Sequence, residues 1–158
     1  MWGLESRVRQ LVCAGKAREA IQLIEQETGG ADSPNPRHLR LLGMCYALNG
    51  ELAEAEELFK KCISQRPKDV SALTGLGNVA LLKGDPVRAR DLYLEALRDN
   101  MLLLEPRFNL VLAYQDMGHF EKCLSAYQDF CVISSLHWWL RLLTILGVAF
   151  LLAYAVIS

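Results

Sequence analysis

Leu39-Arg40-Leu41-Leu42-Gly43-Met44-Cys45-Tyr46-Ala47-Leu48-Asn49-Gly50 is followed, 34 residues on, by Leu73-Thr74-Gly75-Leu76-Gly77-Asn78-Val79-Ala80-Leu81-Leu82-Lys83-Gly84. Leucine, leucine and glycine return in the same places, and each stretch closes on a glycine. A further copy, Arg107 to Gly118, keeps Leu110, Val111 and Tyr114 ahead of its own closing glycine. After each glycine the match continues: Ala55, Phe59 and Cys62 correspond to Ala89, Tyr93 and Ala96, and to Cys123, Tyr127 and Phe130. Upstream, Gly15, Ala20 and Ile24 mark a first copy whose front half, Trp2 to Cys13, is degenerate. Gly15 lies 35 residues before Gly50, which assigns the extra residue to the loop from Thr28 to Pro36. A fixed period of this length in helical patterning is that of a helix-turn-helix unit stacked on copies of itself. The spacing predicts about four units, near 1–35, 36–69, 70–103 and 104–135.

The residue types in these columns are those that stacking requires. Leu42, Leu76 and Tyr46 form the apolar stripe of a first helix, and Gly43 and Gly77 remove a side chain where a neighbour must approach. Gly50, Gly84 and Gly118 end that helix, where a positive φ costs glycine least. Ala55 and Ala89 are small for close approach, and Phe59, Tyr93 and Tyr127 are expected to fill the space between successive units. Pro67 terminates a helix, and Pro36 and Pro106 fall near helix starts, where proline is tolerated.

These columns resemble the tetratricopeptide repeat (TPR) family. The second and third copies carry the resemblance most specifically; the fourth departs from it by Val111 for the glycine and Cys123 for the alanine. The resemblance implies an all-α, right-handed α-solenoid of paired antiparallel helices over residues 1–135, with a concave groove that binds a peptide or partner helix. Superposing the family's groove positions gives Arg9, Arg37, Arg40, Met44, Thr74, Asn78, Phe108, Asn109, Leu112 and Gln115 as the candidate partner-binding residues. Asn78 and Asn109 suit a peptide backbone, Arg37 and Arg40 a carboxylate, and Phe108 with Leu112 an apolar anchor. Relatives that grip the acidic tails of chaperones use lysines, an arginine and asparagines, a pattern broken here by Leu41, Thr74 and Gly75.

A different signal occupies residues 136–158. Trp138 to Ile157 reads WWLRLLTILGVAFLLAYAVI, followed by Ser158. Twenty residues at about 1.5 Å rise span about 30 Å, the thickness of a bilayer's hydrocarbon core. The segment is apolar on every face, with Arg141 near its upstream end and Trp138 and Trp139 where an interfacial aromatic belt would lie. A helix that only capped a solenoid would show a polar outer face. The expectation is therefore one C-terminal transmembrane helix acting as a tail anchor, in contact with the bilayer through 138–157. The start, MWGLESRVRQLV, has no apolar core of signal-peptide length, so the repeats are expected to face the cytosol, at a bacterial inner membrane or a eukaryotic endoplasmic reticulum.

Composition bounds the chemistry. With 17 basic and 18 acidic residues the net charge is −1, the charges are mixed along the chain, and no basic face invites nucleic acid. The five cysteines include no C-x-x-C pair and no ligand spacing with His38, His119 or His137, so no metal and no cofactor are expected. Cys45, Cys62 and Cys123 sit in stripe or small-residue columns, as reduced buried thiols do. Cys131 is a packing residue or, in a eukaryote, an acylation site. Glu51, Glu54, Glu56 and Glu57 cluster at a helix start and are expected to be solvated. No catalytic order of residues is present, and Gly84-Asp85-Pro86 reads as a turn opening a helix. The functional expectation is a non-enzymatic, membrane-anchored adaptor that recruits a protein or peptide partner. The alternative is a structural subunit of a membrane complex, using the apolar helix for lateral packing.

Overall fold

In the computed structural model, residues 3–157 are described except 34 and 99, and for Arg141 and residues 143–157 only the backbone is described. Among the described residues there are eight α-helices: α1 (Leu4–Cys13), α2 (Ala17–Thr28), α3 (Pro36–Leu48), α4 (Leu52–Gln65), α5 (Val70–Leu82), α6 (Pro86–Leu97), α7 (Leu104–Asp116) and α8 (Phe120–Ile157). They pair as α1/α2, α3/α4, α5/α6 and α7/α8, the four units that the period predicts, and each helix packs on the next. The extra residue of the first connection is taken up by a short 3₁₀ turn, Gly30–Asp32.

Local chemistry sets the helix limits. Asn35 accepts from the Arg37 amide ahead of Pro36, Asp69 accepts from the Ala72 amide, and Asp85 accepts from the Arg88 amide ahead of Pro86. Each carboxylate or amide oxygen thus satisfies a donor that the helix itself leaves open. The repeat glycines close the first helix of each pair at φ 73° (Gly15), 87° (Gly50), 79° (Gly84) and 70° (Gly118), where a side chain would be strained.

The core runs between the two helix rows in two stretches. Val8, Ile24, Leu39, Leu42, Ala55, Phe59, Ala72 and Leu76 belong to the first; Ala80, Ala89, Tyr93, Leu97, Leu110 and Ala113 form the second. Phe59 and Tyr93 are buried, as expected of wedges between units, but Tyr127 is half exposed. Phe59 lies between Gly43 of its own unit and Gly75 of the next, whereas no first helix follows α8 among the described residues. Cys45 and Cys62 are buried and free, and burial pushes both thiols up to about 11. Cys123 is only half-buried, and Cys131 is exposed.

Of the four carboxylates expected to be solvated, Glu54 and Glu57 are exposed, but Glu56 is a correction. Its side chain is 12% exposed and pairs with Lys60 (2.8 Å), with Arg88 (2.9 Å) and with Lys83, tying α4 to the third unit. Hydrogen bonds from Lys60, Lys83 and Arg88 lower its carboxyl from 4.5 to about 2. A carboxylate held down in this way stabilises the fold fully above about 4.5 and loses that contribution as pH falls toward 2. Glu56→Gln is expected to cost about 1 kcal/mol at neutral pH, discounted for solvent screening. In urea melts the gap between variant and parent should close with acid and shrink with salt. A constant gap down to pH 2 would mean the carboxamide's shape, not its lost charge, is responsible.

Helix α8 is continuous from Phe120 to Ile157, so the expected domain boundary at 135/136 falls inside one helix. Among the described residues no helix is long and apolar enough to cross a membrane. The expected span lies mostly outside that set, because the side chains of Arg141 and residues 143–157 are not described. Trp138 and Trp139 are described and exposed.

Candidate functional site: the groove of the first helices

A groove of about 620 Å³ crosses α1, α3 and α5 and reaches the start of α7. Its lining follows from the repeat. On α3, Arg37, Leu41, Met44 and Leu48 stand on one face, at helical spacing; 34 residues on, Ser71, Gly75, Asn78 and Leu82 occupy the same face of α5. Glu5, Arg9 and Val12 of α1 extend it at one end, and Glu105 of α7 contributes at the other. Gly75 matters to its floor. A Cβ there would meet the Phe59 ring at 2.5 Å, so the missing side chain is what lets that ring reach up to line the groove.

The walls combine apolar surface with a few charges. Met44, Leu48 and Leu82 are exposed, although each belongs to a helix that packs its other side into the solenoid. Arg40 is engaged within the chain: it donates to both oxygens of Asp69, at 2.9 and 3.2 Å, across the step from α3 to α5. Asp69 also caps α5, so one carboxylate fixes both the helix start and the arginine. Arg9 and Arg37 are exposed and make no ion pair among the described residues. The groove therefore offers two unpaired guanidinium groups over an apolar floor, a surface suited to a peptide with an apolar anchor and an acidic side chain.

Of the ten residues expected in the groove, Arg9, Arg37, Arg40, Met44 and Asn78 line it. Thr74 does not. It is 2% exposed, and its hydroxyl turns back to the Val70 carbonyl at 2.8 Å. Arg40 holds the same column, but an arginine is long enough to reach the groove from that edge and a threonine is not. Phe108, Asn109, Leu112 and Gln115 lie outside it. The Phe108 ring packs on Phe130 of α8 with centroids 5.4 Å apart, and the Asn109 amide is spent on the Asn78 side-chain oxygen at 2.8 Å. Asn78 Oδ1 also accepts from the Tyr93 hydroxyl at 2.8 Å, which leaves its Nδ2 as the group able to donate to a ligand. Ser71, Leu48, Leu82 and Glu105 were not singled out in the sequence, yet shifting Arg37 and Leu48 by one period reaches Ser71 and Leu82, and a second shift of Arg37 reaches Glu105.

The tetratricopeptide repeat family matches residues 46–113 and, through a second form of the same repeat, residues 7–70. The chain is a tetratricopeptide-repeat protein. Its fold is similar to that of solved structures of MamA. One, at 25% identity, is covered over 80% of this chain and 73% of that chain with a TM-score of 0.67. Another, MamA from residue 41 to its end from Desulfovibrio magneticus RS-1, is 20% identical over 82% of this chain and 73% of that one, also with a TM-score of 0.67. Among curated proteins, the mouse protein O-mannosyl-transferase TMTC3 is 29% identical over 86 residues, 52% of this chain. The chain spans 9% of that protein's length. The repeats are a protein–protein interaction scaffold.

Proposed function

We propose that the chain is a membrane-anchored adaptor whose groove holds a segment of a partner protein at the cytosolic face of a membrane. The observation that supports the groove reading most directly is that the period-related faces of α3 and α5 line one continuous trough, with Arg9 and Arg37 unpaired above exposed Met44, Leu48 and Leu82. Apolar side chains exposed singly are ordinary, but these three line one trough together, as the surface of a binding site does. The anchoring half of the reading rests on the twenty residues from Trp138 to Ile157, which carry Arg141 as their one charge.

Fractionation of the full chain, of a version stopped after Ser135, and of the full chain carrying Met44→Glu tests both halves. The full chain is expected to stay with membranes through carbonate extraction, to be digested by protease added from the cytosolic side, and to bring a partner with it. The version stopped after Ser135 should leave the membrane, and Met44→Glu should stay there but lose the partner. Full-chain protein stripped off by carbonate would sink the anchor. A partner retained by Met44→Glu would move binding away from the groove.

A further inference from the structure

The connection between α6 and α7 breaks the pattern of its predecessors. The corresponding segments before it read Gly-Gly-Ala-Asp-Ser-Pro-Asn at 29–35 and Arg-Pro-Lys-Asp at 66–69, polar as surface connections are. This one contains Met101-Leu102-Leu103 and runs directly into Leu104. Leu103 packs against the second stretch of the core, whereas Met101 is 65% exposed and Leu102 48% exposed, so these two side chains do not serve to fill it. Two other side chains hold the backbone that presents them. Arg107, buried in a column that holds leucine in the two preceding units, donates through Nε and Nη2 to the Met101 carbonyl, the first bond at 2.9 Å. His137 of α8 donates through Nε2 to the Leu102 carbonyl at 3.1 Å, across 35 residues of sequence.

His137 immediately precedes Trp138, the first residue of the apolar segment. The hydrogen bond therefore places Leu102 beside the point where that segment begins, next to exposed Leu136, Trp138 and Trp139. The direction of the helices agrees: α6 and α8 are second helices of successive units, so α6 ends at the same edge of the solenoid toward which α8 runs. Resting on the anchored reading above, we propose that Met101 and Leu102 form a second membrane contact, dipping into the headgroup and upper acyl layer of the same bilayer. Apolar side chains on a loop held by these hydrogen bonds gain by burial there, and the paired tryptophans mark the depth at which such a boundary lies. Two contacts instead of one fix how the solenoid stands on the membrane.

The test uses the full chain with Cys13→Ser and Cys131→Ser, reconstituted in phosphatidylethanolamine/phosphatidylglycerol vesicles. An environment-sensitive fluorophore is placed by Leu102→Cys, by Leu140→Cys or by Asp116→Cys, the last at the opposite edge, and lipids carrying a shallow nitroxide act as quencher. The expected result is a blue shift and quenching at positions 102 and 140, with neither at 116. Quenching at 140 without 102 overturns the loop contact and leaves the anchor standing. Quenching at neither position overturns both. As a second variant, Met101→Asp with Leu102→Asp, whose changes leave the Met101 and Leu102 carbonyls in place, should leave position 140 quenched; vesicles are expected to protect residues 101–104 of the parent from protease and not those of this variant, and equal protection of both would overturn the loop contact.

Discussion

Tyr93→Ala is expected to lower the stability of the solenoid by about 3–5 kcal/mol, the range for removing a fully buried aromatic ring. Tyr93 is 0% exposed, and it anchors the second stretch of the core with Ala80, Ala89, Leu97, Leu110 and Ala113. Small alanines surround it, so little nearby can collapse into the space. The hydroxyl adds a smaller part: it donates to Asn78 Oδ1 at 2.8 Å, and Tyr93→Phe should cost about 1 kcal/mol by leaving that oxygen to Asn109 alone. Because stacked units hold on to their neighbours only, the loss falls on the junction of the third and fourth units. Urea denaturation followed by helicity should show a lower midpoint, and hydrogen exchange should show α7 opening before α3. A midpoint equal to the parent's would mean that the alanine pocket closes and the ring is not the keystone of that junction.

Gly77→Ala should destabilise for the complementary reason. A Cβ at position 77 would stand 2.5 Å from Tyr93 Cε1 and 2.9 Å from Cδ1. The obstacle is a buried ring, not the free end of a flexible chain, so it has to be displaced. Overpacking of this kind costs about 1–3 kcal/mol, which outweighs the roughly 1 kcal/mol that alanine gains over glycine inside a helix. The two substitutions are thus coupled. In a Tyr93→Ala background the clash is gone, and Gly77→Ala is expected to become neutral or stabilising, a change of sign that a double-mutant cycle in urea reads directly. Additive effects would show that the glycine serves something other than the ring.

This coupling also explains why the fold was legible. Gly77 with Tyr93, and Gly43 with Phe59, are pairs in which a large residue needs a missing one opposite, and such pairs recur at the period of the unit. The columns therefore revealed four helix pairs and their turns. They did not reveal the fate of Tyr127, whose exposure depends on what stacks against α8, nor of Arg107, whose length lets it leave a leucine column and bind the Met101 carbonyl. The groove was half legible. Its face on α3 could be carried forward by one period, but membership depends on side-chain reach, which separates Arg40 from Thr74, and on internal partners, which claim the Asn109 amide and draw the still exposed Phe108 ring toward Phe130. Glu56 looked like one of four equivalent carboxylates; besides Lys60 one turn on, the two bases that set it apart, Lys83 and Arg88, come from the next unit, 27 and 32 residues away.

The unbroken course of α8 has a geometric consequence. Thirty-eight residues make a rod about 57 Å long, and along it each residue turns by about 100°. With no joint between the part that packs on α7 and the part that begins at Trp138, the heading of the groove is written as a phase angle in that rod. One residue added between Ile133 and Trp138 would swing the trough about a quarter-turn or more around the rod's axis, while seven would return it nearly to its starting bearing. In the anchored adaptor proposed above, such an insertion would re-aim the trough relative to the bilayer without altering a single side chain that lines it.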